Sequence, residues 1–314
     1  MDSIKTNFAA MTALQALQAT NRELLKSQQR VSTGYRVSTA EDNAAYWSIA
    51  TAMRSDNKAL STVTDALGLG SATVDVTYTA LNSAIDITSE IKAKLVAARE
   101  PGVDRGRIQD EIDELQNQLQ SIGSSALFSG QNWLSVDSSA AGYNATKSVV
   151  SSFSRASDGT IDIGTITFNV DDTKLFDASA TSDGILDALR DATGARSVSG
   201  TFSIATLDIS SLSDAAADLA TLEEYIKGAN GAIDDMTAAG SSLGSIKQRI
   251  GLQQTFVKAL MDAIDRGVAT LVDADMSEES TKLQALQVQQ QLGVQALSIT
   301  NSSTQNILAL FRNG

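Results

Sequence analysis

The sequence predicts a mainly α-helical protein, with long antiparallel coiled-coil helices from both chain ends and a small α+β insertion in the middle. Three observations predict this fold. Both ends carry apolar residues at steps of three and four, the period of packed helices. The middle is instead rich in Ser, Thr, Asp and Gly. Only 5% of residues are aromatic and Pro101 is the single proline, which suits thin helical packing better than stacked sheets.

The composition also limits the function. The chain has no histidine and no cysteine, so the commonest general base, thiol nucleophiles and the usual zinc ligands are missing. We therefore predict no catalytic, cofactor-binding or metal site and no enzyme activity. A net charge of −13 without a Lys/Arg run argues against nucleic-acid binding. The sequence contains no run of about 18 apolar residues, so we expect no membrane insertion. Residues 1–5 lack the apolar core of a conventional signal peptide.

The amino-terminal segment is predicted to be an amphipathic helix that ends at Gly34. Glycine takes the left-handed conformation that terminates helices without steric cost. Ser38 and Glu41 have the spacing of a capping box, which predicts the start of the next helix. The apolar residues on one side of the first helix are Ile4, Phe8, Met11, Leu14, Leu17, Leu24 and Val31.

Two coiled-coil seams follow. From Ile49 to Ala98 the mostly apolar positions step by four and three without a slip, which predicts one long helix. Pro101-Gly102 ends it. A second stripe runs from Ile108 to Ile122, so the turn around Arg105 is predicted to join two antiparallel helices.

The middle, Val136 to Ser211, is predicted to hold short strands. The candidate strands are Ser148–Phe153, Thr160–Val170 and Thr201–Ile209, in which β-type residues alternate or cluster. Ser182–Asp191 is predicted as a short helix between them. The segment is therefore interpreted as the α+β insertion.

The carboxyl-terminal third predicts two further helices. One has a stripe from Ile246 to Leu271, with Asp234-Asp235 near its start. In the other, which continues to about Phe311, Ser277 is the predicted cap and acidic residues favour the first turn. This last helix has no charged residue from Leu283 to Leu310.

A stretch of that length would carry roughly five charges at the average of this chain, so chance is a poor explanation. Its Gln, Asn, Ser and Thr residues argue against a membrane span, and surface helices normally carry charges on one face. A helix buried inside a monomer would fit. We favour a segment that orders on assembly against neighbouring subunits, with the amino-terminal helix as its mate. The side chains assigned to this interface are Leu283, Val294, Leu297, Leu308 and Phe311.

Residues 32–45 read STGYRVSTAEDNAA and resemble the signature of the bacterial flagellins. Other matches keep that family's order along about two thirds of the chain. They are Phe128–Leu134, Leu243–Ile250, Asp273–Asp275 and Gln305–Phe311. The run Tyr46–Ala50, together with Trp133, looks most like flagellins of the rhizobial group of alphaproteobacteria.

The resemblance implies a domain organisation. Residues 1–40 and 275–314 would form inner-core helices, and residues 41–136 and 212–274 an outer-tube helical domain. Residues 137–211 would form a variable, surface-exposed insertion. The apolar residues of both terminal helices would be subunit-interface residues. The interdomain turn would use Gly34, Arg36, Asp42 and Asn43.

The resemblance also implies a function. It indicates a structural subunit that is exported unfolded through the flagellar type III channel, polymerises into the extracellular filament and serves swimming. Its partners would be further copies of itself, other flagellins, an export chaperone, the filament cap and hook-associated proteins. Glu90 stands where flagellins sensed by the animal Toll-like flagellin receptor usually carry a basic residue, so weak receptor activation is expected.

Two alternatives come from other classes. A hook–filament junction protein shares the flagellin ends but does not polymerise indefinitely. The short insertion and the matches at both ends favour the filament subunit over it. A flagellin variant with a peptidase insertion needs a zinc motif, which a chain without histidine does not have.

Overall fold

The computed structural model describes residues 7–156, 158–179 and 181–312, with residues 303–312 described by their backbone alone. Long helices dominate it, as the sequence predicted. In chain order they are α1 Phe8–Thr33, α2 Ala44–Ala97, α3 Arg105–Ser125, α4 Ala216–Val272 and α5 Met276–Arg312.

Between α3 and α4 the described residues form three two-stranded sheets. The strands β1 and β2 pair antiparallel, as do β4 and β5, whereas β3 and β6 pair parallel. A short 3-10 helix, Val170–Asp172, follows β5. The strands are β1 Leu127–Phe128, β2 Gln131–Asn132, β3 Ser135–Val136, β4 Thr146–Arg155, β5 Ile161–Asn169 and β6 Phe176–Asp177.

The chain divides into two compact units. The first contains residues up to Lys58 and from Met261 onwards, and the second is Ala59–Leu260. The first unit therefore holds α1, α5, the start of α2 and the end of α4. The second holds the rest of α2 and α4 together with α3 and the insertion.

In the second unit, the predicted seam of α2 is confirmed, whereas its first predicted position, Ile49, is exposed in the first unit. From Leu60 to Ala98, the seam positions predicted from the spacing are all buried. The partner is α4, which runs antiparallel to α2: Lys92 Nζ donates to Asn230 Oδ1 over 2.7 Å, and Lys247 Nζ lies 2.6 Å from Asp75 Oδ1. The stripe of α4 begins earlier than predicted. The helix starts at Ala216, because its packed positions continue back to Leu222, so the start near Asp234 was wrong.

The turn between α2 and α3 is held by Arg105, a buried side chain at the first position of α3. Its guanidinium donates to the carbonyl oxygens of Ala98 and Leu212 and to the carboxylate of Asp214. One side chain thus joins the end of α2, the start of α3 and the entry to α4. The predicted antiparallel hairpin around Arg105 is confirmed.

Two of the predicted insertion strands are confirmed as β4 and β5. The base of their hairpin packs on α2, where Gly70 leaves room for Val149: a β-carbon at that position would collide with the valine side chain. This contact explains a glycine in the middle of a long helix.

Two other insertion predictions were wrong. Ser182–Asp191 is a series of turns, because the N–H groups of Ile185 and Leu186 donate to the carbonyls of Lys174 and Leu175 instead of to helical partners. Thr201–Ile209 is not a strand. Only Phe202 makes a β-bridge there, to a buried arginine, Arg190.

In the first unit, the chain crosses between α1 and α2 beside the junction of α4 and α5. Gly34 has a φ of 76° and ends α1, as predicted. Tyr35 forms an antiparallel bridge with Asp273, and Ala274 N–H donates to Gly34 O over 2.9 Å. Below this bridge lies a small core of Val37, Ala50, Val268 and Val272, with Met53, Ile264 and Leu271 packed against it.

Two predicted caps were wrong. The start of α2 is capped by Asn43, whose Oδ1 accepts from Tyr46 N–H, and not by the pair Ser38 and Glu41. For α5 the cap is Asp275, which accepts from the N–H of Ser277, so Ser277 lies inside the helix. In both cases several residues with capping side chains lie close together in the sequence. Packing of the helix against the core determines where the helix begins, and thereby which of these residues is the cap.

Candidate subunit interface

The two terminal helices α1 and α5 pack against each other as an antiparallel pair. Three contacts fix their register. Asn7 Nδ2 donates to Thr300 O over 3.3 Å, Gln290 Nε2 to Asn21 Oδ1 over 2.8 Å, and Ser27 Oγ to Glu279 Oε2 over 2.8 Å. The predicted pairing of the last helix with the first is therefore present within one chain.

The contact face of this pair consists mostly of small and polar side chains. At Gly293, an added β-carbon would lie 3.1 Å from Leu17 Cδ1, so the glycine leaves room for this leucine. Among residues 7–33 and 276–302, only Leu24, Ser27, Glu279 and Leu286 are buried. The half-buried or buried positions are Asn7, Ala10, Ala13, Leu17, Thr20, Asn21, Leu24, Ser27, Arg30 and Val31 on α1, and Glu279, Leu283, Leu286, Gln290, Gly293, Leu297 and Thr300 on α5.

The residues assigned to the interface from sequence divide into three sets. Leu17, Leu24, Val31, Leu283 and Leu297 lie on the contact face within the chain. The second set, Phe8, Met11, Leu14 and Val294, is exposed to between 45% and 66%. The third set, Ile4 and the side chains of Leu308 and Phe311, lies outside the described residues.

The exposed apolar residues form an outer stripe on each helix. We call them the outer stripes and define them as Phe8, Met11, Leu14 and Leu25 on α1, with Val288, Leu292 and Ile299 on α5. At 3.6 residues per turn, each stripe points well away from its helix's contact face. Sequence reasoning missed Leu25, Val288, Leu292 and Ile299. Their spacing is helical, but it was overlooked beside the contact-face series.

The charge-free parts of the two helices lie side by side. Residues 8–21 of α1 contain no charged residue, and the register places them opposite the charge-free part of α5 from Gln290 to beyond Thr300. Among the described residues, ion pairs between the two helices occur only near the end of α1 and the start of α5. There Arg30 lies 2.8 Å from Glu279, and Lys282 lies 3.9 Å from Glu23. The far half of the pair thus exposes apolar side chains without any charge around them.

Glu279 holds the near half of the pair together. Its carboxylate accepts from Ser27 Oγ and from Arg30 Nη1, each over 2.8 Å. Burial alone would raise the pKa of this carboxyl. The hydrogen bonds from Arg30 and Ser27 outweigh burial and hold the pKa of Glu279 below its ordinary value.

This lowered pKa predicts acid sensitivity of the α1–α5 pair. A carboxyl whose folded pKa is depressed contributes stability above its unfolded pKa of about 4.3, and that stability is lost as pH falls through the folded pKa. Glu279→Gln should therefore cost about 1.5–3 kcal/mol near pH 7. It should also flatten the loss of stability below pH 4. Amide hydrogen exchange in the first turns of α5, followed from pH 6 downwards, measures both effects. An unchanged pH slope in the glutamine variant would contradict this role.

The turn between α1 and α2 contains the four residues assigned to it from sequence, and each of them stabilises the turn. Gly34 ends α1, and the Arg36 guanidinium donates to Leu271 O over 3.1 Å. Asp42 Oδ2 accepts from the N–H groups of Ser38 and Thr39. Although burial raises the pKa of Asp42, these hydrogen bonds give a net pKa below its ordinary value.

Asn43 completes the turn as the cap of α2. The four assigned residues therefore fix the path of the chain between α1 and α2. All of their contacts described here are made within the first unit.

Two features are absent from the residues that the structure describes. No cluster of three or more acidic side chains stands ready to hold a metal ion in residues 7–156, 158–179 and 181–312. In the same ranges, no helix combines the length and the apolar character that a bilayer crossing needs.

The chain is similar to known proteins along nearly its whole length. Residues 4–139 match the sequence model of the bacterial flagellin N-terminal helical region, and residues 226–311 that of the bacterial flagellin C-terminal helical region. Flagellin C of Rhizobium meliloti (strain 1021) is 49% identical over 99% of this chain and 100% of its own length. Over the same shares of each chain, Flagellin A of that strain is 42% identical and a flagellin of Brucella melitensis biotype 1 is 44% identical.

Proposed function

Because the chain belongs to the bacterial flagellin family, we propose that its copies join through the outer stripes of the α1–α5 pair. The chain is a structural subunit of the flagellar filament, and nothing in the comparisons favours a hook–filament junction protein. The single observation that carries the proposal is the charge-free far half of the pair, whose apolar side chains are exposed in the part of the chain that the structure describes.

The physical argument is one of burial. Burying a fully exposed large apolar side chain contributes about 1.5–3 kcal/mol, and each of the seven outer-stripe residues, exposed to between 45% and 69%, would gain roughly half of that. In the charge-free far half of the pair, which excludes Leu25, each neighbour in a homopolymer supplies the same charge-free surface, so no charge is buried unpaired there. The Gln, Asn, Ser and Thr residues between the stripes can satisfy one another by hydrogen bonds across the contact. Of the interface residues assigned from sequence, the exposed Phe8, Met11, Leu14 and Val294 belong to this surface in our proposal.

The rest of the chain follows from this assignment. Residues 1–40 and 275–314 would form the inner core, residues 41–136 and 212–274 the outer tube, and residues 137–211 the solvent-facing insertion. The turn of Gly34, Arg36, Asp42 and Asn43 would hold inner core and outer tube in one orientation. Its hydrogen bonds to Leu271 and among its own residues support this role.

The proposal extends to export and to partners. The subunit would leave the cell unfolded through the flagellar type III channel with an export chaperone, and assemble between the filament cap and the hook-associated proteins. Similar flagellins A and C occur together in one Rhizobium meliloti strain, which supports co-assembly with other flagellins. No catalytic residue is proposed, since the chain has neither histidine nor cysteine.

Weak activation of the animal Toll-like flagellin receptor is a separate expectation. Glu90 is exposed on α2 where receptor-activating flagellins usually carry a basic residue, and a reversed charge in a contact opposes binding. In receptor-expressing reporter cells the response should be about tenfold or more below that of an enterobacterial flagellin. Glu90→Arg should raise it. An equal response from the unmodified chain would refute this expectation.

The experiment that tests the proposed interface compares the full chain with a version ending at Lys282. Purified protein is treated with ammonium sulphate and viewed by negative-stain electron microscopy. The full chain should form long uniform tubes and the shortened chain none, while circular dichroism shows that its remaining helices are folded. If the shortened chain also forms tubes, the interface does not require the part of α5 after Lys282. Stable monomers of the full chain under every condition would favour the junction protein.

A further inference from the structure

Met11 is the most exposed methionine among the residues that the structure describes, and it lies within the outer stripe of α1. Its side chain is 58% exposed, with Phe8 and Leu14 on either side of it in the stripe. The other described methionines are less accessible: Met276 at 43%, the half-buried Met53 and Met261, and the buried Met236. The thioether of Met11 is therefore open to small reagents in the single chain.

The composition makes methionine the preferred target of a mild oxidant. The chain has no cysteine, so the thiolate that peroxides attack most readily is missing. A hydroperoxide would transfer one oxygen atom to the Met11 sulfur. A sulfur lone pair attacks the peroxide, an S–O bond forms, the O–O bond breaks, and the hydroxide or alkoxide that leaves takes up the proton. The sulfur is oxidised by two electrons to the sulfoxide, and the peroxide is reduced to water or an alcohol.

A sulfoxide at position 11 changes the surface through which we propose that subunits join. It replaces an apolar side chain by a polar one that carries a hydrogen-bond acceptor. Phe8 and Leu14 have no polar side-chain atom, so they offer that oxygen no donor. In the single chain water solvates the sulfoxide, whereas burial of the outer stripe removes this water at a cost in free energy. The modification therefore opposes assembly and leaves the fold of the single subunit unchanged.

We propose that Met11 is an oxidation site that regulates assembly. A subunit that is oxidised at Met11 before assembly is kept out of the filament, and a subunit already in the filament is protected. The inference rests on the proposed function, because it requires that the outer stripes join subunits, and it adds a chemical regulation of that surface. A methionine sulfoxide reductase with a dithiol as electron donor reverses the step: the dithiol becomes a disulfide, water is released, and the thioether is restored.

Oxidation rates in monomers and in filaments provide the first measurement. Cleavage after lysine and arginine leaves each of the six methionines on a different peptide, so mass spectrometry follows hydrogen peroxide oxidation at each position separately. In the monomer, Met11 should be oxidised at least as fast as Met276. In filaments its rate should fall to that of the buried Met236. Equal rates at Met11 in both forms would overturn the inference. Failure of the untreated chain to form filaments would instead contradict the proposed function.

Two leucine variants separate Met11 from the other methionines. Leucine is similar to methionine in volume and has no sulfur to oxidise, so Met11→Leu should keep its critical concentration for assembly after peroxide treatment. The treated unmodified chain should show a critical concentration raised about tenfold or more, and reductase treatment should restore the original value. The matched control is Met276→Leu, which removes the other exposed methionine. It should lose assembly on treatment as the unmodified chain does.

Circular dichroism of the treated monomers should be unchanged, which shows that the fold survives oxidation. If the treated unmodified chain assembles at its normal critical concentration, oxidation of Met11 does not regulate assembly. If Met11→Leu loses assembly on treatment as much as the unmodified chain, another methionine is responsible. Either result would show that the inference is wrong.

Discussion

Ile299→Asp is expected to abolish filament formation while leaving the isolated subunit folded. Ile299 is exposed to 69% in the single chain, so an aspartate there should change monomer stability by no more than about 0.5 kcal/mol. In the filament the same side chain would be a buried, unpaired charge that costs several kcal/mol per subunit. A penalty of about 3 kcal/mol raises the critical concentration for assembly more than about 100-fold. Sedimentation of filaments at increasing protein concentration measures it.

The matched control is Ile163→Asp. Ile163 lies on β5 and is exposed to 58%, so both variants replace an exposed isoleucine by the same charge. Because the insertion is proposed to face solvent, Ile163→Asp should assemble at nearly the normal critical concentration. Equal losses in both variants would mean that a charge harms assembly anywhere on the surface, and the outer stripe would have no special role.

The second large effect is expected at Arg190, which is fully buried in the insertion. Its guanidinium donates to Gly194 O over 2.7 Å, to Ile185 O over 2.9 Å and to Asp235 Oδ2 on α4 over 2.9 Å. Arg190→Ala removes these donors at once and leaves a cavity beside Phe202. The expected loss is about 3–5 kcal/mol in the free energy of unfolding, measured by chemical denaturation.

Arg196→Ala is the control for Arg190. Arg196 contacts the same Asp235 carboxylate at 3.4 Å, but its side chain is one third exposed. Because exposed ion pairs contribute little, the loss should be at most about 1 kcal/mol. Hydrogen exchange should show increased opening of residues 185–209 only in Arg190→Ala. Similar losses in both variants would show that the buried hydrogen bonds to backbone carbonyls do not matter.

The helical frame could be predicted from sequence because its packing repeats. From Leu60 to Ala98 every predicted seam position is buried, since a two-helix contact demands the same spacing over its whole length. The turns of the insertion could not be predicted in this way. Ile185 and Leu186 find their hydrogen-bond partners on a distant segment, and no local pattern encodes such a partner.

The candidate interface was predicted only in part, for a physical reason. Sequence reasoning assigned the apolar residues of both terminal helices, Phe8 and Met11 as well as Leu17 and Leu24, to one subunit interface. Within the chain, the contact between α1 and α5 instead uses small residues such as Ala10 and Ala13, and Gly293 leaves room for Leu17. The large residues are left on the outside, where we propose that other subunits cover them.

The central claim is that the charge-free surface of the α1–α5 pair is buried in the filament, and Gln295→Glu tests it most directly. The change is nearly isosteric and adds one charge at an exposed position of α5. Gln118→Glu, at an exposed position of α3, is the control. The account predicts that the critical concentration rises about tenfold or more for Gln295→Glu and stays unchanged for Gln118→Glu. Equal critical concentrations for both variants and the unmodified chain would contradict it.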